Sequence, residues 1–318
     1  MKIDYAISYK ESFDSVAALA ARQQWDVFIS AFNKTERVRK VYDAVNSIEK
    51  HWLVHSEYGF NTADIPTGGN VYAAPGLFRE DDFIMQFVTH LPDLKGVALC
   101  VDISGFMRPH LMFFLLLLAQ RGVTTFDALY SEPSQYSHRE LTEFSLGDVA
   151  SVRPVAGFEG IHQPSLSHDE DVLIIGVGYE HELIRHVANS KNNARKLQLI
   201  GFPPLQADFY QENRLNTHRA SEALSAVNES NPLFAPANDP FVTANVLQEE
   251  VDNQRLRGAK NVYLCPISSR PQALGFALYY VYEGQNKAVS MLYPFASRYA
   301  PGAATGISHV WKYRVELP

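Results

Sequence analysis

The feature that most constrains this chain is a rhythm in which short, continuously apolar runs alternate with stretches of helical length. Residues 98–133 (ALCVDISGFMRPHLMFFLLLLAQRGVTTFDALYSEP) hold one full period. An apolar run ends at Val101 and leads into Asp102, Ile103, Ser104 and Gly105. Arg108 and Pro109 then open a densely apolar helix, and a second apolar run follows near Thr124 to Tyr130. A run that is apolar at every position, rather than at every second one, is a strand covered on both faces.

The same rhythm recurs along the chain. Asp26 to Phe32 (DVFISAF) predicts a buried strand, with a helix from Asn33–Glu36 to about Asn46 and a second strand over His51 to His55. Val172 to Gly178 (VLIIGVG), a helix over 180–189 and a strand over 197–202 form another β-α-β unit. Helices are expected over 12–24, 80–91, 205–214, 217–228, 243–257 and 271–282, and strands over 261–267 and 288–293. Residues 61–76 and 228–240 are rich in Pro, Gly, Asn and Thr and predict loops. Pro154 marks 150–158 as an edge strand, and the alternating tail 309–317 (HVWKYRVEL) predicts an antiparallel edge. The fold class is therefore α/β: a Rossmann-like, mostly parallel sheet with helices on both faces, built from repeated β-α-β units. The halves 1–158 and 159–318, or one continuous domain, are the expected organisation.

A net charge of −7 argues against a general binder of nucleic acid or anionic membranes. The longest unbroken apolar run, Leu111 to Ala119, is nine residues, where a span needs about 20. The start of the chain carries no apolar leader, so a cytoplasmic protein is expected. The two cysteines, Cys100 and Cys265, fall late in apolar runs and read as core thiols. No metal or cofactor is expected from spacing: His51 and His55 sit four apart on a strand, and His181 and His186 five apart.

Two segments echo each other. Cys100-Val101-Asp102-Ile103-Ser104 precedes Arg108-Pro109, and Cys265-Pro266-Ile267-Ser268-Ser269 precedes Arg270-Pro271. Proline suits the first helical turn, where it has no N–H to leave unpaired. In each segment an arginine stands at a helix mouth. In an open parallel sheet, ligands bind beyond the carboxyl ends of the strands, where strand order reverses. The candidates at such ends are Ser30 and Asn33; Asp102, Ser104 and Arg108; Glu180; and Ser268, Ser269 and Arg270. Two guanidinium groups, several hydroxyls and the open N–H groups of helix starts suit a phosphate or a carboxylate. Asp102 ends a buried run and needs a partner there.

The chain lacks G-x-G-x-x-G, a P-loop lysine, H-E-x-x-H and G-x-S-x-G. Residues 25–45 (WDVFISAFNKTERVRKVYDAV) resemble the opening strand and helix of Toll/interleukin-receptor domains. Residues 265–278 (CPISSRPQALGFAL) resemble the late strand–turn–helix of CRISPR-associated Rossmann-fold ligand sensors. The second resemblance implies that Ser268, Ser269 and Arg270 hold phosphate of a nucleotide. The reading reached is a nucleotide- or small-anion-binding sensor or regulatory subunit, of a kind found in bacterial defence, working with a protein partner or as an oligomer. Arg108 and Arg270 would face one anion. The alternative is a nucleotide-processing hydrolase or glycosidase, with Asp102 or Glu180 as nucleophile or base in the same crevice. A third reading is a structural subunit that docks its apolar helix 107–121 on a partner.

Overall fold

The computed structural model describes residues 4, 5, 8–21, 23–74, 76, 79–136, 145–164, 170–178, 180–205, 232–299 and 304–318. The predicted helices at 205–214 and 217–228 lie outside these residues, apart from position 205. The chain forms two compact units. The first comprises Ser8–Gly147 and Ser297–Pro318, and the second Met1–Ile7 and Asp148–Ala296.

The first unit opens with β1 (Lys10–Phe13) and α1 (Val16–Ala20), whose cap Ser15 accepts from the Ala18 N–H. Then come β2 (Gln24–Phe32), α2 (Glu36–Ala44), β3 (Asn46–Val54), β4 (Asn70–Ala73), α3 (Glu80–Val88), β5 (Leu99–Asp102), α4 (Arg108–Gln120), β6 (Thr125–Glu132) and β7 (Gln135–Tyr136). The sheet runs β4-β3-β2-β5-β6, all parallel. Numbered by appearance in this parallel set, the order is 3-2-1-4-5, the Rossmann order. The tail strand β15 (His309–Glu316) adds antiparallel to β6, and β1 adds antiparallel to β15. The tail is thus antiparallel as expected, but β1, which overlaps the start of the helix expected over 12–24, takes the edge. The core of this unit gathers Trp25, Phe28, Phe32, Val38, Val41 and Trp52. Tyr42 stacks on Trp52 at 3.7 Å between ring centroids.

The second unit holds β8 (Ser145–Pro154), β9 (Val172–Gly176), α5 (His181–Ser190), β10 (Arg195–Gly201), β11 (Leu233–Ala235), α6 (Pro240–Leu256), β12 (Val262–Pro266), α7 (Arg270–Tyr279) and β13 (Val289–Tyr299). Its sheet runs β11-β10-β9-β12-β13-β8. The first five strands are again parallel, and again in the order 3-2-1-4-5. The short pair β7 and β14 (Ala304–Thr305) forms a separate antiparallel ribbon.

The chain is therefore an α/β protein with two Rossmann-like sheets of one topology. The echo noticed in the sequence falls at equivalent places in each. Cys100 lies on the fourth strand β5, and Arg108-Pro109 opens the following helix α4. Cys265 lies on the fourth strand β12, and Arg270-Pro271 opens α7. Both thiols are fully buried. The apolar helix α4 is buried from Pro109 through Met112 and from Phe114 through Leu118 within the folded chain, as an all-round apolar helix must be. Among the described residues no helix is long and apolar enough to cross a membrane.

Candidate functional site

In the first unit, strand order reverses between β2 and β5. Ser30 and Asp102 are register partners across that pair. Asp102 accepts at both carboxylate oxygens, from the Ser30 hydroxyl at 3.0 Å and from the Ser104 N–H at 3.0 Å. The Ser104 hydroxyl in turn accepts from the Ser131 N–H at 2.8 Å and shares a 2.9 Å bond with the Ser131 hydroxyl. Arg37, from α2, donates to the Ser131 carbonyl. Ser30, Asp102, Ser104 and Ser131 have no exposed surface. Desolvation pushes the Asp102 carboxyl above its ordinary value of 3.8; the serine hydrogen bonds and the Arg37 charge oppose the rise. This is the pattern of a buried carboxylate holding three chain segments together. Asn33 is also buried, and its Oδ1 accepts from the Thr35 N–H at 3.0 Å and from the Thr35 hydroxyl, shaping the entry to α2.

Backbone packs closely on backbone where the strand order reverses. A Cβ on Gly105, in the turn after β5, would fall inside the carbonyl oxygen of Ala31 near the end of β2. The second unit does the same with the partners exchanged. There the order reverses between β9 and β12, and a Cβ on Gly178, after β9, would meet the carbonyl of Ile267, after β12. Ser268 is buried beside Gly176, and Ser269 caps α7 by accepting from the Gln272 N–H at 3.2 Å. Ser269 also donates to the Ala237 carbonyl. Arg270 is half-buried at the first position of α7, as is Arg108 at the first position of α4. Glu180 stands, half-buried, at the cap position of α5.

The two arginines of the echo stand on different sheets. Arg108 follows β5 of one sheet and Arg270 follows β12 of the other. The echo reflects repeated topology rather than convergence at the end of a single sheet. Ser30, Asp102 and Ser104 do come together in the first unit, while Glu180, Ser268, Ser269 and Arg270 belong to the second.

A different cluster appears where no spacing pointed. His55 follows β3 directly, Glu57 lies in the 3₁₀ turn Ser56–Tyr58, and His110 is in the first turn of α4. One ligand atom from each lies within 4.8 Å of the others. Glu57 Oε1 is 3.3 Å from His110 Nε2, with the side chains 13% and 3% exposed. The imidazoles meet edge to face at 4.6 Å. Phe83 stacks on His55 at 5.6 Å and meets His110 edge-on at 5.4 Å; Phe106 abuts His55. His55 Nε2 accepts from the Met107 N–H at 3.3 Å. His110 is more than fifty positions from His55 and Glu57, so only the fold brings the three together. The available sequence signal was a histidine at the end of a strand run and another at a helix start. No protein-family model and no curated protein matches the chain.

Proposed function

We propose that the protein binds a nucleotide or a comparable small anion at its fourth-strand turns and serves as a sensor or regulatory subunit. The observation that carries this reading is the repetition itself. In two units of one strand order, the helix after the fourth strand begins with a half-buried arginine, and the turn before it carries a buried serine, Ser104 or Ser268. A guanidinium beside the open N–H groups of a helix start favours phosphate or carboxylate oxygens. The close approach of Gly105 to Ala31 and of Gly178 to Ile267 favours a ligand outward of the strand ends, against the helix mouths. Each unit then offers a guanidinium at its own helix mouth.

Calorimetry with a panel of mononucleotides, cyclic nucleotides and inorganic phosphate tests the reading. Arg108→Ala or Arg270→Ala is expected to weaken the best ligand at least about tenfold, or about 1.4 kcal/mol. Binding that is unchanged in both single variants and in their combination would refute it, as would the absence of binding across the panel.

A further inference from the structure

We propose that His55, Glu57 and His110 form a binding site for a divalent transition-metal ion of the zinc type. Two imidazoles and a carboxylate are a donor set that suits such ions. A tetrahedral ion with bonds near 2.1 Å has ligand–ligand edges of about 3.4 Å. The edge between Glu57 Oε1 and His110 Nε2 is already 3.3 Å. The widest separation in the group is at most 4.8 Å, a gap that small side-chain rotations close.

The frame that holds these ligands is rigid where it needs to be. His55 is tied to the end of a nine-residue strand, and His110 to the first turn of a thirteen-residue helix. The turn that carries Glu57 ends at Gly59, whose φ of 61° lies in the left-handed region. The aromatic wall of Phe83 and Phe106 fixes the planes of the imidazoles and lowers the local dielectric, which strengthens the attraction between ion and ligands. The bond from the Met107 N–H places the resting proton of His55 on Nδ1 and leaves Nε2 as the basic nitrogen. Coordination through Nε2 exchanges that long hydrogen bond for a metal bond. Three protein ligands leave a further position for water or a small anion. The site is independent of the nucleotide reading: it uses neither Arg108 nor Arg270.

The test uses the full chain, stripped with a chelator and then titrated with cobalt(II) and zinc(II). The expected results are one equivalent bound per chain, visible d–d bands for cobalt typical of low coordination number, and a metal-dependent rise in the thermal midpoint. Glu57→Gln and His110→Gln are each expected to lower the affinity at least about tenfold. His162→Gln, a change in the second unit, is expected to leave it unchanged. Circular dichroism checks that each variant folds; if His110→Gln does not fold, Glu57→Gln decides. Absence of the cobalt bands in the unaltered protein overturns the proposal without any variant. Equal affinity in folded Glu57→Gln overturns it as well, as does an equal loss in His162→Gln.

Discussion

The two units differ most where they are most alike. Each places a fourth strand beside its first, ends it in a serine-bearing turn and starts a helix with Arg-Pro. In the first unit that junction encloses a charged residue: Asp102, with Ser30, Ser104, Ser131 and Arg37 arranged around it. In the second unit Ile267 follows the fourth strand and Val177 follows the first, both buried. The comparison teaches that the repeated motif encodes architecture, while the residues inserted into it decide the chemistry. A buried carboxylate needs every partner satisfied; an isoleucine needs only volume.

The largest expected effect breaks that contrast directly. Asp102→Ala removes the acceptor shared by Ser30 and the Ser104 amide and leaves buried donors unpaired. It should cost about 4 kcal/mol in urea unfolding. Adding Ser30→Ala should cost clearly less than the sum of the single changes, because the two act in one network. A loss below about 1 kcal/mol for Asp102→Ala would mean that the first unit is held no differently from the second.

Next come the glycines where backbone packs on backbone. Gly105→Ala and Gly178→Ala both force a backbone shift against a carbonyl, and each should cost about 3 kcal/mol. The buried thiols report on the two units separately. Burial pushes the Cys100 thiol well above its ordinary range, and both thiols are fully buried, so neither should react with a thiol reagent until its unit opens. Gly105→Ala should speed labelling of Cys100, and Gly178→Ala that of Cys265, each followed with the other cysteine replaced by serine. The opposite pairing would show that these contacts do not belong to the units assigned here.

Smaller effects sharpen the difference between the helix mouths. Ser269 caps α7, whereas the Met107 side chain provides no cap to α4. Ser269→Ala should therefore cost about 1 kcal/mol, measured by thermal unfolding. The smallest is a dependence on pH. Because the Asp102 carboxyl titrates higher in the folded chain than its ordinary 3.8, the folded state holds that proton more tightly. Its contribution to stability should fall as pH rises from about 4 through the raised value, and level off above it. Asp102→Asn should flatten that slope; an unchanged slope would assign it to other groups.

Much of the fold was legible because burial on both faces writes itself as unbroken apolar sequence. The central strands β2, β5, β9 and β12 were all anticipated for that reason. The third strands, β4 and β11, carry a loop-like sequence because both are short edge strands in Pro- and Asn-rich segments. Their strand character comes from pairing with β3 and β10, a property of the neighbour rather than of the residues themselves. The need of Asp102 for partners was visible in sequence; the identity of those partners was not.

The sequence by itself determined the alternation of strand and helix, the antiparallel tail and the recurrence of the Arg-Pro helix start, since these depend on local apolar pattern and proline chemistry. Only tertiary structure decided that the recurrence spans two separate sheets. It also decided that Gly105 and Gly178 pack against carbonyls of the neighbouring turn or strand and that His55, Glu57 and His110 meet behind an aromatic wall. Contacts between residues more than fifty positions apart are set by how strands order themselves in a sheet, and no local pattern carries that order.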